Sequence, residues 1–494
     1  MIADKGMELH QAIYKFYLTQ IQFGYYRYGE KLPALEEACR QFHTSLDTVN
    51  PAYHRLRQEG YISLSKKAGA KVTVKFAPEE IEQHIQTFYA ERRESLFDLS
   101  SSIWPLLGQA QCYALKYGAL TWKDQVYSAD SGHLQSLYGI WKLLDRKYDV
   151  LGNELFMRLT RYLYLYFYGS FCNVIDNRQL KEKTFRQIQT AAALCLEGNW
   201  SELPETLRVI QAEFSRTLHS FYKERISTYS VTFPDKQPQG LENAFRWDAY
   251  ERSAQLRYSL AMELLTEIGR GTYPVGSYLP SAERLSAEKS VSVSTVRRAI
   301  CLLNSIGAVK SSRPLGARVL PFSQGAENCD FTHPDLRRRL LDLAESLQIF
   351  ALSGKAVSDF TLAAMDDTAL CQWLQYLHEL KRREHCERVI YVSLFQISVH
   401  APCQTLRTIY SELLRLLFWG YPLERIIRTK EEADIFFTPF IEHMITSLEQ
   451  KEFHSFSSDL EFLLLHELRK IVDVLPELGI HEAEKLLIPD LNEF

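Results

Sequence analysis

The chain has 494 residues, 46% hydrophobic and 24% charged, with a formal net charge of −4; this excludes a disordered polar chain and is too long for a single core. Its nine cysteines, at 39, 112, 172, 195, 301, 329, 371, 386 and 403, contain no C-x-x-C pair, so reduced thiols in a cytosol are expected rather than disulfides or structural zinc. The N-terminus lacks a basic segment leading into an apolar core, and the run YLYLYFYGSF from Tyr162 is about half of a spanning helix, so the expected location is cytoplasmic, without a membrane.

In chain order, Leu9, Ile13, Tyr17 and Ile21 stand four apart and predict an amphipathic helix ended by Gly24. The stretch YYRYGEKLPALEEA, 25–38, then reads as a turn and a second helix, with Ala34 at its cap. A third helix follows Ser45 and contains Pro51. Proline deletes a backbone bond and collides with the preceding turn, so this helix is expected to kink or to start nearer Thr48. Residues 80–225 hold few Pro or Gly within leucine-rich periodic runs and no strand alternation, which predicts helices. STYSVTFPDKQPQG, 227–240, reads as an exposed linker.

Beyond it the pattern returns as TYPVGSYLPSAERL, 272–285. Adding 247 to each position from Gly24 to Val72 lands on Gly271 to Val319 without a gap, and 16 of the 49 pairs are identical, among them Gly29/Gly276, Pro33/Pro280, Ser45/Ser292, Thr48/Thr295 and Gly69/Gly316. The same offset places Leu256, Leu260, Leu264 and Ile268 on an opening helix. Ser281 is expected to cap the second helix and Ser292 the third, over about 293–305, with Val296, Ala299, Ile300 and Leu303 as its apolar stripe and Gly307 as its stop. AVKSSRPLGARVLP reads as strand, turn at Gly316, strand. Three helices and a hairpin make a winged helix-turn-helix whose third helix presents Ser294, Arg297 and Arg298 to a major groove, with Arg313 and Arg318 on the wing meeting phosphate. Residues 335–480 are again helical, with LLFWGYP around Phe418 answering LYFYGSF around Phe167.

Charge follows the repeat. Residues 1–76 hold 11 Lys/Arg against 7 Asp/Glu and residues 249–321 hold 10 against 5, giving +4 and +5, so the remainder carries −13. Two basic segments on an acidic chain suit a partner with a phosphate backbone.

The sequence Y-x-x-G-x-x-L-P-S, then V-S-x-S-T-V-R-R-A-I, then G-x-x-V resembles the GntR family of bacterial transcriptional regulators over about 70 residues in each copy. The resemblance implies a winged helix that binds operator DNA as a dimer and a helical domain that binds a small effector. It implies that Arg297 reads a base edge, that Ser281 and Thr295 touch phosphate, and that Gly316 brings the wing backbone to the minor groove. The departures are specific. Val293 and Leu46 stand where the family usually has an arginine, and Glu283 and Glu36 replace another, although Arg284 lies one residue on. In the first copy Asn50 replaces the T-V-R arginine; Thr48, Asn50, His54, Lys66, Lys67, Gly69 and Lys71 remain to make contacts, with Asn50 able to pair with adenine. That copy either reads bases or packs on the second as a structural partner.

The expected fold is mainly α: winged helix-turn-helix domains at 1–77 and 249–321, each followed by an all-α effector or dimerisation domain, at 78–226 and 322–494, with a linker at 227–248. The expected function is sequence-specific binding of double-stranded DNA by a single-chain pseudo-dimer, modulated by a small-molecule effector, with a homodimer left open. The alternative is an interaction protein that dimerises with or titrates another regulator. No cofactor is expected. His443 and His466 are the tempting metal ligands, more often ordinary histidines, and the tyrosine-rich run at 162–168 is a pocket lining or, more often, core. No G-x-G-x-x-G after a strand, G-x-x-x-x-G-K-[ST], G-x-S-x-G or H-E-x-x-H occurs, so no enzyme is expected.

Overall fold

The computed structural model describes residues 9–118 without 43 and 66–68, residues 146–226 without 169, 170, 172, 173 and 175–177, and residues 245–247. It also describes 255–312 without 270, then 315–321 and 329–488 without 421. The linker stretch 227–240 lies outside these residues.

The first head is α1 (Leu9–Gln22), α2 (Leu35–Gln41), α3 (Leu46–Gln58) and the antiparallel hairpin β1 (Ile62–Ser65) and β2 (Gly69–Val72). Its helical half holds α4 (Pro78–Ala90), α5 (Arg93–Tyr117), α6 (Glu154–Leu163), α7 (Arg178–Glu197) and α8 (Leu203–Phe221). The second head repeats the order: α9 (Gln255–Gly269), α10 (Ala282–Lys289), α11 (Val293–Ser305), β3 (Val309–Ser312) and β4 (Gly316–Val319). Its helical half holds α12 (Pro334–Ala364), α13 (Asp367–Arg382), α14 (Val389–His400), α15 (Gln404–Leu416), α16 (Lys430–Glu449) and α17 (Phe453–Glu477). The fold is mainly α, with two small hairpins as wings.

Hairpin registers repeat at the offset read from the sequence: Ile62 faces Val72 as Val309 faces Val319. Gly69 and Gly316 both have positive φ, +72° and +100°, a backbone that a side chain would strain. The helix periodicity is met with one exception. Leu9, Ile13, Tyr17 and Ile21 are buried, and so are Leu260, Leu264 and Ile268, but Leu256 is 48% exposed at the start of α9.

Of the two outcomes expected for Pro51, the late start is corrected. The helix starts at Leu46, not near Thr48, and continues through Pro51 to Gln58. Pro51 lies on the exposed side, and the carbonyl left without a donor belongs to Asp47, itself exposed in the first turn where water reaches it.

Each head packs on its own helical half through aromatic rings. Phe16 of α1 meets Tyr164 at 5.9 Å between centroids, and Tyr258 of α9 meets Trp419 at 6.1 Å. Tyr162, Tyr164 and Phe167 are buried, so this part of the aromatic run is core packing. Phe245 and Trp247, inside the expected linker, are also buried, Phe245 against Tyr166 at 5.4 Å. One contiguous apolar core joins both heads and both helical halves, and a smaller cluster fills the space between α5, α7 and α8.

The two helical halves meet through equivalent elements used twice. Asp98 of α5 accepts hydrogen bonds from the backbone N–H groups of Gln404 and Thr405, at 2.5 and 2.8 Å, and so caps α15. Glu345 of α12, 247 positions on, accepts from the backbone N–H of Leu155 at 3.1 Å, in the first turn of α6. An acidic side chain at a helix N-terminus satisfies orphan donors and matches the helix dipole. Asn153 and Gln348 extend the second contact: the Asn153 amide donates to the Glu345 carbonyl and to Gln348, both at 2.8 Å.

Candidate nucleic-acid interface

In the second head, serine caps set the two helices of the helix-turn-helix. Ser281 Oγ accepts from the Arg284 N–H at 3.2 Å and Ser292 Oγ from the Thr295 N–H at 3.1 Å. Each such cap contributes about 1 kcal/mol. The Ser292 and Thr295 hydroxyls also pair, at 2.8 Å. Val296, Ala299, Leu302 and Leu303 turn inward and are buried, and Ile300 is partly buried. The 3.6-residue period then leaves Ser294, Arg297, Arg298 and Cys301 exposed on the outer face. The N-terminal half of a capped third helix, open to solvent and cationic, can enter a major groove.

The cations on this surface are arranged unequally. Arg297 donates from Nη2 to Glu283 of α10 at 3.1 Å. Glu283's own backbone N–H, then Ser281 and Arg297, hold its carboxyl below the usual carboxylate range. Arg284 is turned along α10 to Glu288, at 2.7 Å. Lys289 bonds Glu263 and Glu267 of α9, at 2.8 and 2.6 Å; burial alone would lower its pKa, but these two carboxylates raise it. That lysine ties α10 to α9. On the wing, Arg318 donates from Nε to the Gly276 carbonyl at 3.3 Å, and Lys310 lies opposite it in the hairpin register. Lys310, exposed, is a cation the sequence reading passed over; its alternation with buried Val309 was the available signal. Ser311 donates its N–H to Asn304 Oδ1 at 2.9 Å, tethering the wing to the end of α11. Arg313 lies outside the described residues.

The first head has the same frame and a different surface. The Ala34 methyl group carries no acceptor to cap α2, and Ser45 makes no backbone cap bond, reaching only the Thr48 hydroxyl at 3.2 Å. The positions equivalent to Val293, Ser294, Arg297, Arg298 and Cys301 hold Leu46, Asp47, Asn50, Pro51 and His54, all exposed. Those five positions hold one carboxylate and no lysine or arginine, Arg57 following one turn beyond His54, and Leu46 is 49% exposed. Arg55 is committed elsewhere, 2.9 Å from Glu59 and stacked over the Tyr14 ring at 4.1 Å. Lys71 is exposed on the wing strand beside Gly69; Lys66 and Lys67 lie outside the described residues.

The histidines considered as metal ligands have separate partners. His443 meets Asp459 at 2.5 Å, while His466 stacks on Phe436 at 4.0 Å and burial lowers its pKa. Among the described residues no group of three His, Cys, Asp or Glu could hold a metal ion, and no helix is long and apolar enough to cross a membrane.

The sequence model described as bacterial regulatory proteins, gntR family, matches residues 9–72 and 256–319, two spans 247 positions apart. Among solved structures, the chain is similar to the GntR protein of Streptococcus agalactiae, at 16% identity and a TM-score of 0.20, over 43% of this chain and 99% of that one. It is also similar to a GntR-family transcriptional regulator of Pseudomonas syringae pv. tomato, at 15% identity and a TM-score of 0.20, over 51% of this chain and 94% of that one. No curated protein matches. Two family matches, each coincident with three helices and a wing, lead to one assignment: the chain carries in tandem two winged helix-turn-helix domains of the gntR family of bacterial regulatory proteins.

Proposed function

We propose that the chain is a cytoplasmic, sequence-specific DNA-binding transcriptional regulator that works as a single-chain pseudo-dimer, with its heads at 1–77 and 249–321, helical halves at 78–226 and 322–494, and a joint at 227–248. The observation that carries this reading is the exposed Arg297 and Arg298 on the serine-capped α11, flanked by Ser294 and the basic wing residues Lys310 and Arg318. Ser281, Ser292 and Thr295 serve as the phosphate partners in this reading. The reciprocal caps made by Asp98 and Glu345 support the pseudo-dimer, because an isologous contact uses each equivalent position twice. Fusion replaces bimolecular assembly with a high effective concentration.

In this reading the second head reads bases, the first head is held against phosphate by Lys71 and its neighbours on the wing, and the operator is asymmetric. The helical halves take a small-molecule effector, and the aromatic contacts between each head and its half carry the change to the DNA. Selection from random duplex DNA with the purified chain and with Arg297→Ala, each at two salt concentrations, tests it. An asymmetric site enriched by the parent and lost in the variant is expected; binding without sequence preference that weakens equally in both with salt overturns it.

A second reading has a specific basis in the first head. Its exposed face of Leu46, Asp47, Asn50, Pro51 and His54 suits a protein partner better than phosphate, so the chain would act as an interaction protein through that head. A second regulator retained by the parent chain, and released by Leu46→Glu, is its test.

A further inference from the structure

We propose that Glu283 determines specificity on the DNA-reading surface: it buttresses Arg297 so that the guanidinium reads a guanine, and its exposed carboxylate accepts from the amino group of a neighbouring cytosine. This rests on the DNA-reading function proposed above. The Arg297–Glu283 contact of 3.1 Å bridges the two helices of the helix-turn-helix, and the side chains are 69% and 65% exposed, so both remain largely open to solvent. An exposed ion pair adds little stability; its consequence here is orientation. The contact uses one nitrogen of a guanidinium with five donors, which leaves the rest of the fork for guanine O6 and N7. Its own backbone N–H, with Ser281 and Arg297, also holds the Glu283 carboxyl below the usual range, so it meets the groove as an anion.

A carboxylate at the groove is repelled by phosphate unless it finds a donor. Cytosine N4 is the major-groove donor that a carboxylate accepts from best, because no acceptor on the same base opposes it. The first head tests this internally: Glu36 occupies the position equivalent to Glu283, but Asn50 replaces Arg297, so the cation needed to offset the carboxylate is missing.

The experiment is selection from random duplexes with the full chain as parent, Glu283→Gln and Glu283→Ala, together with affinities for the parent's best site. The parent should enrich a guanine next to a cytosine. Glu283→Gln should keep the guanine and shift its neighbour toward adenine, whose N6 and N7 suit an amide. Glu283→Ala should lose the neighbour preference and bind the parent site about tenfold more weakly. An unchanged preference in both variants, with equal or tighter binding, overturns the inference and makes Glu283 a competitor for Arg297. If the parent enriches no sequence, DNA reading fails and this inference falls with it. Equal unfolding midpoints for all three chains would assign the changes to the surface, since Glu283 is exposed.

Discussion

The two halves of the chain share a frame and differ where side chains meet the outside. α3 and α11 are both 13 residues long, both wings have the same register, and both helical halves send a carboxylate into the other's helix end. Yet α11 presents Arg297 and Arg298 where α3 presents Asn50 and Pro51. The frame is constrained by burial, which couples many residues at once. An exposed face is constrained only by its partner, so it is free to change when that partner no longer needs both copies.

The sharpest test of this comparison lies at the reciprocal caps. Burial, with Asp342 adding to it, raises the pKa of Glu345 to about 7, against Arg338 on its own helix and Arg158 on α6; Glu154 of α6 adds a smaller push upward. The unfolded chain releases that proton in the ordinary carboxyl range, so between these values the folded chain binds more protons. Stability therefore falls as pH rises from about 5 to about 8, by on the order of 3 kcal/mol. Glu345→Gln keeps an acceptor for Leu155 and removes the titration. It should unfold at a higher temperature than the parent at pH 8 and show a shallower slope in thermal melts across that range. An unchanged slope would place the titration elsewhere.

Next in size, Arg297→Ala should weaken binding to the selected site by about 30-fold, while Asn50→Ala changes it less than about threefold, as measured by fluorescence anisotropy at fixed salt. Equal losses would restore equivalence between the heads. Pro51→Ala should then raise stability by about 1 to 2 kcal/mol, part of the roughly 3 kcal/mol that a helix-interior proline costs. Denaturant midpoints measure it, and a loss would mean that α3 uses the proline's fixed φ. Smallest is the cap comparison: Ser292→Ala should cost about 1 kcal/mol and Ser45→Ala a few tenths, since only Ser292 accepts from a backbone N–H.

The frame was legible because it is written in periodic and special residues. Val296, Ala299 and Leu303 repeat at helical spacing, and Gly69 and Gly316 sit where a side chain would strain the turn. Ser281 and Ser292 cap as the spacing suggested, and Ser45 does not, although the letter is the same. Capping depends on where a hydroxyl points relative to N–H groups two or three residues on, and identity alone does not fix that. Pro51 misled because its cost depends on whether the orphaned carbonyl reaches water. The pairing of Arg297 with Glu283 joins residues 14 positions apart on separate helices. Glu283 stands out in the sequence as a departure from the family pattern, but only the crossing of α10 and α11 makes it a partner. Asp98 and Glu345 were missed for the same reason: a cap supplied from the other half leaves no local pattern.

Those two acids have a consequence for how the chain evolves. In an assembly of identical subunits one codon sets both ends of a symmetric contact, so every substitution is tested twice. Here the two ends are separate codons, and they have already parted, one as aspartate and one as glutamate. Each side of the seam can be retuned while the other preserves the assembly.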